Sequence, residues 1–230
     1  ENYKAFLKGK KIETQNSFSI QFNELNGRFD YDFYSPENRK LFSNLTNFKT
    51  VRLGDICEIV KTKSRKLKDP NLIVEYVELS DINTHSYEII NSTTSQVHEL
   101  PSRASYEIEQ GDIITAIAGN SVGTRKHATA LVTEDLAGSI CTNGFRVFRN
   151  FKIDSYYLLY YLKSEMFLKQ MFMYRTGAAI PNVSDTDLAN IIIHLPEQKT
   201  IDDISNKMKK AFELRQASKQ QIESIELEFA

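Results

Sequence analysis

The chain has few cysteines and no tryptophan, and the scarcity of cysteine limits the class of protein to which it can belong. Among its 230 residues only Cys57 and Cys141 carry thiols, and they lie far apart in the sequence. Their number and spacing provide neither a disulfide framework nor a zinc site, so we interpret both as reduced thiols of a cytoplasmic protein. The four histidines are scattered, with no pair at the spacing of metal ligands. We therefore expect no metal and no cofactor.

Long apolar runs are also absent. No stretch approaches the roughly 20 apolar residues that a membrane-spanning helix needs, and the first residues, ENYKAFLKGKK, lack the apolar core of a signal peptide. We expect no membrane partner. Because the chain begins with Glu1 rather than Met, we also expect it to be a piece of a longer protein.

The sequence motifs of common catalytic sites are missing. There is no glycine-rich phosphate loop, no Gly-x-Ser-x-Gly nucleophile elbow and no His-Glu-x-x-His zinc helix. The Asp/Asn-Pro-Pro-Tyr/Phe motif, with which an amino-methyltransferase holds its target base, is missing as well. Two acidic stretches, DPNLIVEYV and YEIEQGD, are better explained by a strand and a solvated turn than by a nuclease site. The sequence therefore predicts a chain without catalysis of its own.

The composition that remains is that of a globular protein, with 41% hydrophobic and 26% charged residues. In the first 48 residues, apolar and polar positions alternate from Phe18 to Leu25, which predicts a strand. The next segment, SPENRKLFSNL, predicts a short helix that begins at Pro36. We interpret residues 1–48 as an arm that leads into the main body.

The body combines a β-rich part with later helices. From about residue 70 to 150, β-branched residues and glycine-containing turns predict mainly strands, and the dipeptide Asn143–Gly144 predicts a turn. Residues 154–177 predict a helix that begins after Asp154 and ends near Gly177. A Ser-x-x-Asp signature from Ser184 predicts a further short helix, and IIIHL predicts a strand. This order predicts an α+β fold.

The segment from residue 197 onward contains no residue that breaks a helix. Its apolar and small residues recur at alternating intervals of three and four residues if Arg215 and Ser218 are counted as two members of the series. This spacing is that of a heptad seam, and the middle of the seam is polar. A single helix cannot bury such a seam, so we expect it to pack on another helix. The predicted seam residues are Ile201, Ile204, Met208, Ala211, Ile222, Ile225 and Phe229.

Positive charge is concentrated locally, although the net charge is only −1. The run KTKSRKLK, residues 61–68, carries five positive charges and no negative charge. Such a run is usually only a solvated loop, but bunched positive charge is also what a phosphate-binding surface needs. We predict phosphate contacts for Lys61, Lys63, Arg65, Lys66 and Lys68.

Side chains able to contact base edges are concentrated at the predicted turns beside strands. Arg, Lys, Asn, Gln and Thr are the residue types that form hydrogen bonds with bases in the major groove of DNA. Any surface loop contains such residues, so it is their concentration that favours a DNA-facing edge. The candidates are Arg103, Asn120, Ser121, Arg125, Lys126, Asn143, Arg175 and Thr176.

Five segments together resemble a known family. They are VRLGDICEIV, VELSDIN, IEQGDIITAIAGNSVGTRK, YYLLYYLKSEMFLKQM and GAAIPNVSDTDLANIIIHLPEQKTI. Each is degenerate, but their order and spacing from Val51 to Phe229 resemble the target recognition domain of the specificity subunits of type I restriction–modification systems. The resemblance implies a β-rich recognition domain with supporting helices over residues 49–196, an arm over 1–48 and a long spacer and docking helix over 197–230.

The resemblance also implies function and partners. The domain would bind a short site in double-stranded DNA and direct an adenine-N6 methyltransferase, with or without a restriction subunit, to that site. The family's subunits carry two recognition domains, whereas this chain has one. It would then be a half-sized subunit that forms a homodimer through its helix, or the C-terminal specificity region of a single-chain adenine methyltransferase–restriction fusion. A protein–protein adaptor that binds no DNA is the remaining alternative.

Overall fold

The computed structural model describes residues 8–9, 17–25, 27–45 and 47–228. The chain divides into two compact units, Glu1–Asn44 and Leu45–Ala230. The smaller unit contains helix α1, Tyr31–Tyr34, and helix α2, Pro36–Leu45, whose last residue already belongs to the larger unit. The predicted short helix at Pro36 is confirmed.

The predicted strand from Phe18 to Leu25 is wrong. This segment contains a single 3₁₀ turn, Phe22–Glu24, in which the Gln21 N–H donates to the Glu24 carboxylate over 3.2 Å. The Phe22 side chain is 88% exposed. Alternation stabilises a strand only where its apolar face is buried against a sheet or core, and that burial is missing at Phe22.

The larger unit contains two four-stranded sheets and two short strand pairs. The first sheet has the order β6-β3-β10-β7, in which β10 is parallel to β3 and the other pairs are antiparallel. The second sheet is antiparallel with the order β2-β11-β8-β9, while β1 pairs with β12 and β4 with β5. The strands are β1 Thr50–Arg52, β2 Glu58–Ile59, β3 Ile73–Val77, β4 Ile82–Asn83, β5 Glu88–Ile89, β6 Thr93–Gln96, β7 Ala104–Glu107, β8 Ile113–Ala116, β9 Thr129–Leu131, β10 Ile140–Thr142, β11 Phe145–Arg149 and β12 Ile192–His194.

The chain passes from one sheet to the other at Asn143–Gly144. Strand β10 ends at Thr142 in the first sheet, and β11 begins at Phe145 in the second. The turn predicted from this dipeptide therefore joins two sheets instead of closing a hairpin. Because the connection has only two residues, the adjacent ends of both sheets lie side by side.

Over its described residues the larger unit also contains five α-helices. The single helix predicted over residues 154–177 is in fact two helices. The Asp154 carboxylate accepts the N–H groups of Tyr156 and Tyr157, as predicted for a helix start. The helix is interrupted because the Ser164 hydroxyl accepts the Phe167 N–H over 3.2 Å and begins a new helix. The helix predicted from Ser184 is confirmed. The helices are α3 Leu53–Ile56, α4 Ser155–Tyr161, α5 Glu165–Tyr174, α6 Asp185–Ala189 and α7 Gln198–Glu228.

The long helix α7 packs on the body along its first part. Ile201 is buried, and the Phe212 ring lies 6.0 Å from the Tyr156 ring of α4. Arg215 Nη1 donates to the Ser86 carbonyl in the β4–β5 turn over 2.7 Å. The first part of this helix therefore packs on its own body, since α4 offers a complementary aromatic face.

Beyond Phe212, every side chain of α7 that the structure describes is exposed. The predicted seam is thus divided between the two halves of the helix: Ile204, Met208 and Ala211 are half-buried, whereas Ile222 and Ile225 are exposed. Phe229 lies outside the described residues. Over the described part of the chain, no helix has the length and apolar character that crossing a membrane requires. The predicted α+β fold with a long C-terminal helix is confirmed.

Candidate nucleic-acid interface

The basic run 61–68 lies against the outer edge of β7, which is the edge strand of the first sheet. Ser64 begins the 3₁₀ turn Arg65–Lys68 by accepting the Lys66 N–H at its hydroxyl. The Ser64 N–H donates to the Ser105 carbonyl over 2.8 Å, and its hydroxyl donates to the Glu107 carboxylate over 2.9 Å. We call residues 61–68 the basic turn; these bonds hold it in a defined position on the sheet.

Lys66, for which the sequence predicts a phosphate contact, contributes to this attachment. Its ammonium group donates to the Gly138 carbonyl over 2.6 Å and pairs with Glu107 at 2.9 Å. Burial acts to raise the pKa of Glu107, but the hydrogen bonds from Lys66 and Ser64 bring it below its usual value. The other four cations of the basic turn are exposed, and within the described residues none forms an ion pair.

Four loops meet where the two sheets adjoin. We call the surface formed by residue 103 and residues 117–126, 143–144 and 175–183 the loop surface. Its loops are joined by main-chain hydrogen bonds, so their relative positions do not depend on flexible side chains. The bonds, from N–H to carbonyl oxygen, are Asn143 to Arg103 at 2.7 Å, Ile117 to Gly144 at 2.8 Å, Val183 to Ile117 at 2.9 Å and Gly119 to Pro181 at 2.9 Å.

The loop 117–126 is fixed from beneath by a buried histidine. Burial lowers the pKa of His127 to about 3, so its ring is neutral at physiological pH. Its Nδ1 accepts the Gly123 N–H over 3.2 Å, and its Nε2 therefore donates to the Thr115 hydroxyl at 2.8 Å. The ring also packs edge-on against Phe167, with centroids 5.6 Å apart. Both ring nitrogens are thus used to hold the loop.

Lys163 fixes the far end of the same loop. Its ammonium group donates to the His127 carbonyl over 2.7 Å and to the Arg125 carbonyl over 3.4 Å. Partial burial lowers the pKa of Lys163. With their main chain held in this way, the side chains of Arg125 and Lys126 are exposed to solvent.

The loop 175–183 is closed by Thr176 and Asn182. These two residues exchange main-chain hydrogen bonds of 2.8 Å in both directions, which leaves a five-residue loop between them. Gly177, the first residue of that loop, has a φ of +97°, a conformation that glycine adopts without steric cost. Asn182 also forms a bridge with Ala118, so both sides of this loop are fastened.

Arg175 joins the two loops to each other. Its guanidinium group stacks over the Phe172 ring at 3.6 Å from the centroid, and its Nη1 donates to the Val122 carbonyl over 3.4 Å. Arg175 is half-buried. The sequence predicts a base contact for this residue, but the geometry gives it a second task in positioning the loops.

The structure brings all the predicted base-contacting residues onto or beside this one surface. Ser121 and Arg175 are half-buried there, and Arg103 pairs with Glu78, whose hydrogen bond raises the pKa of the guanidinium. The exposed members are Arg103, Asn120, Arg125, Lys126, Asn143 and Thr176.

Local sequence patterns miss the residues that build the surface from beneath. Lys163 and His127 are separated by 36 residues in the chain, and no local pattern predicts that they meet. Ile180 is also missed. A glycine followed by three apolar residues, GAAI, is the one signal in the sequence that marks it.

The basic turn and the loop surface are neighbours along β7. Ser105, which binds the basic turn, lies two residues after Arg103, a separation of about 7 Å along a strand. Cations suited to phosphates therefore lie beside side chains suited to base edges. Specific protein–DNA interfaces need this division between contacts that position the protein and contacts that specify the sequence.

Comparison with known proteins identifies relatives of the chain. The model of the type I restriction modification DNA specificity domain matches residues 46–224. The crystal structure of the HsdS subunit from Thermoanaerobacter tengcongensis is similar, with 29% identity and a TM-score of 0.58 over 78% of this chain and 47% of that one. A structure from work on complex assembly and conformational transition of the type I R-M system has 28% identity and a TM-score of 0.59, with the same coverage. The chain spans about half the length of these structures. No curated protein matches it.

Proposed function

The chain belongs to the family of type I restriction–modification DNA specificity domains, and from this premise we propose that it recognises a short sequence in double-stranded DNA without catalysis of its own. In this proposal it directs an adenine-N6 methyltransferase, and with it a restriction subunit, to that sequence in the cytoplasm. Residues 49–196 form the recognition domain, 1–48 the arm and 197–230 the spacer and docking helix. The observation that carries the proposal is the loop surface with the basic turn beside it.

Phosphate contacts are assigned to the basic turn. Lys61, Lys63, Arg65 and Lys68 are exposed, and the ammonium groups of the three lysines act as point charges that suit the sequence-independent part of binding. Lys66 is left out because its ammonium group is already held by Gly138 and Glu107. These contacts would set the register of the protein on the duplex.

Base contacts are assigned to the loop surface. Arg103, Asn120, Arg125, Lys126 and Asn143 are exposed there, and their donors and acceptors match base edges in the major groove. The loops that carry them are already fastened by main-chain hydrogen bonds. Less conformational entropy is therefore lost when DNA binds, which raises the affinity that each contact provides.

The exposed half of α7 supports a docking role. Leu214, Ile222 and Ile225 are each more than half exposed, although a solvated helix gains nothing from large apolar side chains in water. We propose that this half packs on methyltransferase subunits, or on a second copy of the chain if the protein is a half-sized subunit.

The test uses the complex of the chain with its methyltransferase. Methylome sequencing first identifies the target, and fluorescence anisotropy then compares a duplex containing it with a shuffled duplex at several salt concentrations. The proposal expects tighter binding to the target duplex. Arg125→Ala should relax the preference at one base pair and cost about 1–3 kcal/mol, whereas Lys152→Ala, an exposed cation outside the loop surface, should not. A complex that binds neither duplex would instead support the adaptor alternative.

A further inference from the structure

The tip of the loop 175–183 is apolar, and polar recognition does not account for it. Ala178, Ala179 and Ile180 are all exposed, and the Ile180 side chain is 70% exposed. The tip is closed at its base by Thr176 and Asn182. A large apolar side chain is thus presented to solvent by a fastened loop.

The neighbours of this tip are polar and cationic. Arg175 lies at its base, and the loop with Arg125 and Lys126 is joined to it through the bond from Gly119 to Pro181. A protein partner with an apolar face would meet these cations around its contact with Ile180. A polyanion that carries isolated apolar groups fits both features.

Duplex DNA carries one apolar group that can specify sequence from the major groove, the C5 methyl group of thymine. Apolar groups of side chains contact it, among them alanine, phenylalanine and the methyl group of threonine. Apolar wedges in the minor groove instead insert a bulky side chain between base steps and kink the duplex. Ile180 is preceded by two exposed alanines and not by further bulky side chains, which favours the methyl contact over the wedge.

We propose that Ile180, with Ala178 and Ala179 beside it, contacts the C5 methyl group of a thymine in the target and thereby determines specificity at that base pair. This inference rests on the proposed function, since it requires the loop surface to face the major groove. It adds an apolar contact to a site whose other members act through hydrogen bonds and charge.

The test replaces each thymine of the target duplex in turn with deoxyuridine, which removes the methyl group and keeps every hydrogen-bonding group. Binding is measured with the complex of the full chain and its methyltransferase. At one position we expect deoxyuridine to weaken binding about fourfold, the effect of one buried methyl group. Ile180→Ala should weaken binding to the thymine duplex at least as much. In that variant, the preference for thymine over deoxyuridine at this position should fall to the part that Ala178 and Ala179 provide.

The matched control is Ile73→Ala. Ile73 is 63% exposed and lies at the start of β3, outside the loop surface, so its variant should keep the full thymine preference. Because both isoleucines are exposed, neither substitution should change the thermal melt appreciably.

Three results would overturn the inference. The first is a target in which no replacement of a thymine with deoxyuridine lowers the affinity. The second is a thymine preference that persists undiminished in Ile180→Ala, which would assign the methyl contact to a residue other than Ile180. The third is an equal loss on thymine and deoxyuridine duplexes together with a loss of DNA bending, which would identify a minor-groove wedge. A wild-type complex that binds no duplex would overturn the proposed function as well, and is thereby distinguished from these three.

Discussion

Gly123 lies so close to α5 that a Cβ atom at this position would be 2.5 Å from the main-chain nitrogen of Phe172. The main chain of a helix cannot yield as the end of a flexible side chain can. Gly123 also has a φ of +74°. The glycine therefore allows the loop 117–126 to approach the helix, and the loop surface depends on that approach.

Gly123→Ala should lower stability and DNA specificity together. Left-handed backbone costs a residue with a Cβ about 1–2 kcal/mol, and the contact with Phe172 should add about 1–3 kcal/mol of overpacking. Gly111→Ala is the matched control, because Gly111 has a φ of +85° with nothing within 4 Å of its Cβ position. Urea denaturation measures the loss in the free energy of unfolding for each variant. Equal losses would show that the loop does not depend on the close approach.

Replacement of Lys61, Lys63 and Lys68 with alanine should reduce the salt dependence of DNA binding. Each phosphate contact that is lost should lower the slope of log K against log salt by about one unit, almost equally on all sequences. Lys66→Met is the control for the salt slope, because Lys66 is not among the residues assigned to phosphate. This variant should instead reduce thermal stability by removing the contacts with Gly138 and Glu107. An unchanged slope in the triple variant would remove the basic turn from the interface.

Protonation of His127 should make the fold less stable in mild acid. The pKa of this ring is about 3 in the folded protein because burial disfavours its charged form, and it is near 6.5 in the unfolded chain. Between these values the unfolded chain binds the extra proton, so the free energy of unfolding falls as the pH falls through 6.5. From pH 7 to pH 5 the loss should be about 2 kcal/mol.

The measurement is urea denaturation of the wild type and His127→Gln at pH 7 and pH 5. The variant should lack this part of the pH dependence. The pKa values of Glu75 and Glu107 lie below 4.5 in the folded protein. Their contribution to stability is lost only in stronger acid, so it does not overlap with the change between pH 7 and pH 5. The same pH dependence in both proteins would show that His127 does not carry it.

Truncation within α7 should separate folding from assembly. A chain that ends at Arg215 keeps the contact with Ser86 and the ring pair of Phe212 with Tyr156, so it should melt cooperatively near the temperature of the full chain. It should no longer assemble with the methyltransferase or with a second copy. A chain cut at residue 203 exposes Tyr156 and should melt at a lower temperature.

Equal melting temperatures for the two truncations would show that the first part of α7 adds nothing to the body. Assembly that survives the cut at Arg215 would remove the docking role from the exposed half. Size-exclusion chromatography with light scattering measures the assembly, and calorimetry measures the melt.

Local patterns predicted most of the elements, because caps and turns depend on neighbouring residues. Asp154 and Ser184 begin helices where their side chains can accept main-chain N–H groups, and Asn143–Gly144 makes the predicted turn. The strand predicted at Phe18 failed because alternation alone does not supply a sheet to pair with. The contact of Lys66 with Gly138, 72 residues away, could not be predicted because it depends on tertiary structure.

The candidate site divides in the same way. Residue types that suit DNA, such as Arg103 and Asn143, could be selected from composition at turns, and the structure places these two side by side through a main-chain bond. The support provided by Lys163 and His127 could not be selected, because its residues are a helical lysine and an isolated histidine with no motif. The residue types at the tips of loops can be selected from the sequence, whereas the tertiary contacts that support the loops cannot.

The main-chain bonds between the loops have an evolutionary consequence. Every residue supplies a main-chain carbonyl group, and every residue except proline supplies an N–H group. Arg103, Asn120, Asn143 or Thr176 can therefore be exchanged for any residue but proline without releasing the bonds that align their loops. A lineage could therefore acquire a new target through a few point substitutions, with the scaffold and its assembly helix left intact. Substitutions at these four positions would change specificity with little effect on folding. A substitution at Gly123 would instead disturb the fold, because no other residue fits there.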